Sequence, residues 1–163
     1  MIRKANQKDF DFIYGVHVHP DVSRFLFYEP MPADEFKPLF NNLLAQGILY
    51  VYGEENVVIG MFKFMPQQHR AAHIVDLGGI AVHPSFGGKG CGQRMLNEIM
   101  QLAKTQGFLR MQLGVSEVNE KAIHMYEKAG FKKEGKLKKY IHLKNENIFL
   151  DDVLMAYLYE DVI

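Results

Sequence analysis

Apolar and polar positions alternate between His73 and Val82, which predicts a β-strand. Two adjacent glycines, Gly78 and Gly79, interrupt the alternation and predict either a bulge that parts the strand from its neighbour or a simple kink. A glycine-rich segment follows at residues 87–92 and leads directly into a helical pattern. Backbone N–H groups at such a turn can approach a ligand closely, so this arrangement is typical of a phosphate-binding site.

The same two periodicities predict the other elements of the chain. Period-two segments predict strands at residues 1–5, 48–53, 57–65, 108–115, 131–142 and 149–158. Helical spacing predicts helices at residues 7–18, 34–46, 90–106 and 120–129. Asn6 and Asn119 stand where N-caps belong, and Gly47, Gly107 and Gly130 stand where helices end. Helices interleaved with more numerous strands predict an α/β or α+β fold with a mixed sheet.

The composition narrows the class of protein. The chain has 163 residues, 48% of them apolar, and we expect one domain over residues 1–163. Nineteen basic residues balance nineteen acidic ones, so no charge excess points to nucleic acid or to an anionic membrane. A single cysteine excludes an internal disulfide, and the first residues lack the continuous apolar core that a signal peptide would have. No apolar run reaches membrane-spanning length, so we expect a cytoplasmic protein.

Two groups of side chains have competing interpretations. Phe25, Phe27 and Tyr28 form an aromatic cluster between prolines, which fits either a plug at the edge of the core or the wall of a substrate pocket. His17 and His19 are two residues apart, so a helix would point them to different sides, and no carboxylate has a ligand-like spacing beside them. We therefore expect both histidines at the surface or in loops, and we expect no metal site.

Two motifs resemble those of the GNAT superfamily of acetyl-CoA-dependent N-acetyltransferases. The first is the glycine run at residues 88–92, which alone is weak evidence. The second is the helical segment that carries Asn119, Ala122, Tyr126 and the pair Gly130-Phe131. Together the motifs are specific, and the resemblance covers essentially the whole chain. It implies a central mixed, mostly antiparallel sheet with splayed central strands, flanked by about four helices.

The last third of the chain is similar to the branch of the family that acetylates free amino acids. The similar residues are Glu134-Gly135, Lys138-Lys139-Tyr140, Asp152 and Met155-Ala156. Residues 73–76 fit that branch too, although related tails occur in members that act on other amines. One position departs from the pattern, since Gly87 stands where the family usually has Gln or Arg. A backbone N–H is still present there, so we expect coenzyme A to bind.

The resemblance implies that backbone groups hold acetyl-CoA. The pyrophosphate is assigned to one loop, formed by Gly87, Gly88, Lys89, Gly90, Cys91, Gly92 and Gln93. The strand before the loop, Ile80, Ala81 and Val82, is assigned to the pantetheine arm, and its N–H groups, that of Ala81 first, to the thioester oxyanion. Asn119 is expected to contact the pantetheine while it caps its helix.

Proton transfer adds two candidate residues. Tyr126 is the candidate acid for the departing thiolate, or else a core aromatic side chain. Asp76 is the candidate base, directly or through water, or else a strand carboxylate paired with a cation or with His73. The attacking amine must be neutral, and an α-amino group has a pKa of about 7.7–8.0 against about 10.4 for lysine. A free amino acid is therefore the easier nucleophile.

The implied activity is direct transfer of acetyl from acetyl-CoA to the primary amine of a small molecule in a ternary complex. We expect a free amino acid as the acceptor, with Phe25, Phe27 and Tyr28 as its contacts. Alternative acceptors are a protein N-terminus, a lysine and an aminoglycoside-like amine. Two alternatives without this chemistry are an acyl-CoA sensor and a nucleotide-binding regulatory module. The apolar final strand could also form part of a homodimer.

Overall fold

The computed structural model of the protein describes residues 1–160, which form seven strands and five α-helices. The strands are β1 (Ile2–Lys4), β2 (Leu49–Glu54), β3 (Val57–Pro66), β4 (Ile74–Val82), β5 (Arg110–Ser116), β6 (Lys132–Leu143) and β7 (Ile148–Leu158). The helices are α1 (Phe10–Val18), α2 (Pro20–Ser23), α3 (Ala33–Gln46), α4 (Cys91–Thr105) and α5 (Glu120–Lys128). Short 3₁₀ helices span Gln7–Asp9, His69–Ala71 and Pro84–Phe86. The strands pair in the order β1-β2-β3-β4-β5-β7-β6, with β4 and β5 parallel, so the predicted mixed sheet is confirmed.

These elements are divided between two compact units. Unit 1 contains Met1–Phe64 and Gly79–Glu98, and unit 2 contains Met65–Gly78 and the chain from Ile99 onwards. Strands β3 and β4 and helix α4 each have one end in unit 1 and the other end in unit 2. The single domain expected over residues 1–163 stays a prediction, and residues 161–163 lie outside the described part of the chain.

A capping box starts the first helical segment of unit 1, as Asn6 predicts. The Asn6 side chain accepts a hydrogen bond from Lys8 N at 2.9 Å, and Asp9 Oδ2 accepts one from Asn6 N at 2.8 Å. Arg3 also donates two bonds of 2.8 Å to the Asp9 carboxylate, which is 5% exposed. Burial alone would raise the pKa of Asp9, but the bonds from Arg3 and Asn6 outweigh it and lower this pKa.

The core of unit 1 lies between α1, α3 and the strands β2 and β3. Its fully buried side chains include Ile13, Val16, Phe36, Phe40, Leu43, Leu49, Val51 and Met61. The three from α3 follow helical spacing, so one face of that helix is buried. Gly47 ends α3 in the left-handed conformation, with φ at +68°, as predicted.

Strand β4 carries one residue more than its antiparallel partner β3. The N–H of Gln67 donates to the carbonyl of Ile74, and the N–H of His83 donates to that of Ile59, both at 2.9 Å. From Ile59 to Gln67 the chain advances eight residues, whereas from Ile74 to His83 it advances nine. Gly79 has a φ of +53°, which places the extra residue there and confirms the predicted bulge.

The strands of unit 2 pair unevenly. β4 pairs with β5 over three residues, Ile74–Asp76 against Arg110–Gln112, whereas β5 pairs with β7 from Arg110 to Ser116. The two parallel strands therefore part after Asp76, which matches the predicted splay. In the same unit, Asn119 Oδ1 accepts from Ala122 N at 3.3 Å, and Gly130 has a φ of +105° after α5. The predicted N-cap at Asn119 and the predicted helix end at Gly130 are therefore confirmed.

Some features differ from the prediction or add to it. α2 is a four-residue helix that the pattern did not predict. Residues 1–160 include no helix that is long and apolar enough to cross a membrane. The same residues contain no group of three or more His, Cys, Asp or Glu side chains that could hold a metal ion.

Candidate active site

The glycine loop of unit 1 has the backbone shape of an anion-binding nest. Gly88 and Gly90 have φ values of +73° and +74°, while Lys89 between them does not adopt a positive φ. Such an alternation turns successive N–H groups toward one point. None of the N–H groups from Gly88 to Gln93 donates to an acceptor within residues 1–160. The last three of these belong to the first turn of α4, where the helix dipole adds partial positive charge.

Gly87 has a different part in the loop from the one expected. Its N–H donates to the carbonyl of Pro84 at 3.0 Å, so this N–H is already used within the chain. A Cβ at Gly87 would lie 3.2 Å from the same oxygen, which is a tight contact. Gly87 therefore closes the 3₁₀ turn before the loop, and the unpaired donors begin at Gly88.

Arg94 braces the glycine loop from inside unit 1. Its Nη1 donates to the carbonyl of Lys89 at 2.8 Å, and its Nε donates to Glu54 Oε1 at 2.7 Å. Tyr52 donates to the same Glu54 oxygen at 2.7 Å. The bond from Arg94 comes first among the causes that lower the pKa of Glu54 to about 2. Sequence reasoning missed both residues, because 40 positions separate them and no local pattern joins them.

The backbone of β4 also offers unpaired groups beside the loop. His83 N–H points toward β3, and strand alternation points Ala81 the same way. A Cβ at Gly60 on β3 would indeed lie 3.1 Å from the Ala81 carbonyl oxygen. The N–H groups of Ile80 and Val82 therefore point away from β3, and they replace that of Ala81 as candidates for contact with a ligand.

An aromatic cleft lies within unit 1. It is lined by His17, Leu26, Phe27, Tyr28, Leu43, Leu49, Met61, Lys63 and Gly79. Phe27 and Tyr28 are therefore in the place that the pocket interpretation predicts, whereas Phe25 is not among the lining residues. The cleft is narrow, and the space between its lining atoms amounts to about 280 Å³, part of which is open to solvent. The cleft is too narrow for an acceptor as it stands, so an acceptor would fit only if a lining side chain, such as that of the 67% exposed Phe27, turned outward.

Two lining residues with nitrogen-containing side chains, His17 and Lys63, were not predicted to line a pocket. His17 is 8% exposed, so the expectation of a surface position was wrong. It follows Ile13 by one helical turn, and its Nδ1 donates to the Ile13 carbonyl at 3.1 Å. Burial lowers the pKa of His17, so its ring is neutral near pH 7. The Lys63 ammonium lies 5.1 Å from the centre of the Tyr28 ring, and burial lowers its pKa.

Asp76 in unit 2 belongs to a network of amides. Gln67 Nε2 donates to one carboxylate oxygen at 2.8 Å, and Gln112 Nε2 donates to the other at 2.7 Å. Arg110 Nε donates to Gln112 Oε1 at 2.8 Å, and Arg110 is itself paired with Glu134. The Asp76 partners are thus neutral amides rather than the cation or the histidine considered above. The base role of Asp76 stays a prediction.

Tyr126 projects from α5 into the interior of unit 2. Its side chain is 3% exposed, and its ring centre lies 5.6 Å from that of Phe131. Burial raises the pKa of Tyr126 above its ordinary value, so the phenol is protonated throughout the neutral range. A protonated phenol can donate a hydrogen bond to a developing thiolate, and the role of Tyr126 as an acid stays a prediction.

Comparison with known proteins finds relatives of this chain. The chain is 28% identical to the L-amino acid N-acetyltransferase AaaT of Escherichia coli K12 over 161 residues, which cover 96% of both chains. It is 27% identical to a spermidine N(1)-acetyltransferase of Vibrio cholerae over 143 residues, which cover 83% of this chain and 80% of the relative. The crystal structure of a spermidine N-acetyltransferase from Vibrio cholerae, in complex with CoA and spermine, has the same fold. Its TM-score is 0.83 at 23% identity, over 97% of this chain and 94% of that one.

The sequence model of the Acetyltransferase (GNAT) family matches residues 21–131, which is more than half of the chain. That range includes the glycine loop, α5 and its closing residues Gly130 and Phe131. The chain therefore belongs to the Acetyltransferase (GNAT) family and is an acetyl-CoA-dependent N-acetyltransferase.

Proposed function

We propose that this enzyme transfers acetyl directly from acetyl-CoA to the primary amine of a small molecule while both substrates are bound. The observation that carries the proposal is the row of unpaired N–H groups from Gly88 to Gln93. A pyrophosphate such as that of acetyl-CoA matches this row in charge and in hydrogen-bonding capacity. Two relatives described above act, by name, on amino acids and on spermidine, which supports a small amine as the acceptor.

Further contacts with acetyl-CoA come from the strand and from α5. The outward N–H groups of Ile80 and Val82 are suited to bind the pantetheine arm and to stabilise the oxygen of the thioester as negative charge develops on it. Asn119, which caps α5 through its side-chain oxygen, retains its amide N–H₂ for a pantetheine carbonyl. Backbone donors fixed by secondary structure need no reorganisation during the reaction, which favours this assignment.

The proton transfers require little from the protein. The acceptor amine loses a proton, and an α-amino group with a pKa of about 7.7–8.0 is partly neutral near pH 7. Asp76 can accept that proton directly or through water, although two amides already bind its oxygens. The departing thiolate, whose thiol has a pKa of about 8.5, accepts a hydrogen bond from Tyr126. Because burial raises the pKa of Tyr126, this hydrogen bond is more favourable than complete proton transfer.

Calorimetry with acetyl-CoA, followed by a thiol-release assay, tests the proposal. The acceptor panel contains the common amino acids, spermidine, a lysine-containing peptide and an aminoglycoside. We expect acetyl-CoA binding and thiol release with small primary amines. Binding without release for any amine would indicate an acyl-CoA sensor. Thermal protection by ATP or NAD, with none by coenzyme A, would indicate a nucleotide-binding module.

A further inference from the structure

Lys63 extends from β3 into the aromatic cleft of unit 1. Its ammonium nitrogen lies 5.1 Å from the centre of the Tyr28 ring and 5.9 Å from that of Phe27. A Cβ at Gly79 would lie 3.2 Å from Lys63 Cε, so the glycine at the bulge makes room for the lysine stem. The bulge in β4 and the ammonium in the cleft are therefore parts of one arrangement.

Within the described part of the chain, no negative charge is paired with this ammonium. The other residues that line the cleft are apolar or aromatic, apart from His17, whose buried ring is neutral near pH 7. No carboxylate within residues 1–160 forms an ion pair with Lys63. A shielded ammonium is unfavourable without a counter-charge, and aromatic rings compensate for it only in part. The cleft is thus electrostatically complementary to an anionic group.

Three acidic side chains of unit 1 line a different cleft. That cleft is lined by Glu54, Glu55 and Glu98 together with Met1 and Arg94, and it shares no lining residue with the aromatic cleft. Two of its carboxylates are already paired, Glu54 with Arg94 and Glu98 with the amine of Met1 at 3.1 Å. No carboxylate lines the aromatic cleft, and its two aromatic rings already face the Lys63 ammonium, so the cleft is poorly suited to a polyamine.

We propose that Lys63 binds the carboxylate of the acceptor, so that the acceptor is a free α-amino acid. The inference rests on the proposed function and names the substrate class within it. In an α-amino acid the amine and the carboxylate share one carbon, so an anchored carboxylate also fixes the position of the amine. The aromatic rings of Phe27 and Tyr28 suit an apolar side chain. A polyamine offers Lys63 only like charge, which excludes it by repulsion.

The test compares an amino acid with its own primary amide, such as L-methionine with L-methioninamide, in the thiol-release assay. The pair is chosen from the best amino acid of the panel. We expect the wild type to prefer the acid by about 10- to 100-fold in kcat/KM, since a hydrogen bond to a charged group is lost in the amide. In Lys63→Met this preference should fall close to one, through KM more than kcat. Lys63→Arg, which keeps the charge, should retain part of the preference.

Lys37→Met is the matched control. Lys37 also lies over aromatic rings, 4.3 Å from the centre of Phe10, but it donates to Gln7 and does not line the cleft. This variant should keep the full preference for the acid. An unchanged preference in Lys63→Met, or faster turnover of spermidine than of every amino acid, would overturn the inference while acetyl transfer stands. Absence of thiol release with every amine, the amides included, would overturn the proposed function itself.

Discussion

Lys63 in unit 1 and Arg110 in unit 2 are both cations that are partly shielded from solvent, but their interaction partners differ. Arg110 donates to Gln112 at 2.8 Å, and its guanidinium forms two hydrogen bonds with the carboxylate of Glu134. Lys63 contacts aromatic rings and has no carboxylate partner among residues 1–160. Because a shielded charge needs compensation, Arg110 is stabilised by the protein, whereas Lys63 is left for a ligand to stabilise.

Backbone groups show the same contrast. In unit 1 the N–H groups from Gly88 to Gln93 have no acceptor within the described residues. In unit 2 every residue of β5 is in register with β7, and both oxygens of Asp76 accept bonds from amides. Polar groups that are satisfied within the chain stabilise the fold, while groups left open indicate where a ligand binds. Paired substitutions in the two units can test this distinction.

The largest effect is expected for Gly88→Val, which changes the open loop. Gly88 has a φ of +73° and no atom within 4 Å of its Cβ position, so valine would strain the backbone and place a branched side chain beside the unpaired N–H groups. We expect a loss of acetyl-CoA affinity of about 100-fold or more by calorimetry.

Gly107→Val is the control for backbone strain. Gly107 also has a positive φ, +85°, and open space at its Cβ position, but it lies after α4 and outside the loop. Both variants should lose roughly 1–3 kcal/mol of stability, and Gly107→Val should keep its affinity for acetyl-CoA. Equal affinities in the two variants would remove the loop from the binding site.

Tyr126→Phe tests whether unit 2 also contains a polar group that acts on a ligand rather than on the fold. If the hydroxyl stabilises the departing thiolate, its removal should lower kcat by about 10- to 100-fold and leave acetyl-CoA affinity nearly unchanged. Tyr157→Phe is the matched control, because its ring also packs against Phe131, with centres 5.8 Å apart. Normal turnover in Tyr126→Phe would reduce Tyr126 to a core aromatic residue.

Local signals in the sequence were enough to predict the helix ends, the bulge and the glycine loop. Asn6, Asn119 and Gly47 act within one helical turn of their own positions, so their residue types alone indicate their roles. The positive φ at Gly79 follows in the same way from two glycines in a strand pattern. These features depend on backbone sterics, which a short stretch of sequence specifies.

Features that join distant segments could not be predicted from the sequence. Arg94 and Glu54 meet only because β2 and α4 pack within one unit, and neither has a distinctive neighbour along the chain. Lys63 is one of several lysines in the predicted strands, and only the folded structure shows that it lines a cleft without acidic residues. His17 is the exception, because it lies one helical turn after Ile13 and directly after Val16, and its place on this buried stripe was a usable signal.

Asp9 is a charge in unit 1 that the protein itself satisfies, in contrast to Lys63 in the same unit. Arg3 and Asn6 hold the pKa of the Asp9 carboxyl below its ordinary value of about 3.9. The stabilisation is therefore complete above that value and is lost as the pH falls through the lower, folded-state pKa. At pH 7, Asp9→Asn should be less stable than the wild type by about 1–3 kcal/mol, a range reduced because Arg3 is partly exposed. On acidification, the free energy of unfolding should fall less in Asp9→Asn than in the wild type.

Urea unfolding at several pH values between neutral and strongly acid measures this difference. Asp11→Asn is the control, because Asp11 is an exposed residue in the first turn of α1. It should unfold close to the wild type at every pH. Parallel acid profiles for Asp9→Asn and the wild type would contradict the assignment of acid sensitivity to the Arg3–Asp9 pair.

The smallest effect, and the most direct test of the comparison, lies in the stabilities of Arg110→Met and Lys63→Met. Arg110→Met leaves Glu134 without its cation, but that carboxylate is 43% exposed, so the loss should be only about 0.5–1 kcal/mol. Lys63→Met removes a shielded charge that no carboxylate in residues 1–160 balances, so its free energy of unfolding should equal or slightly exceed that of the wild type. Urea midpoints without ligand distinguish the two. If Lys63→Met proved the less stable variant, Lys63 would be a structural residue and the contrast between a satisfied and an open cation would fail.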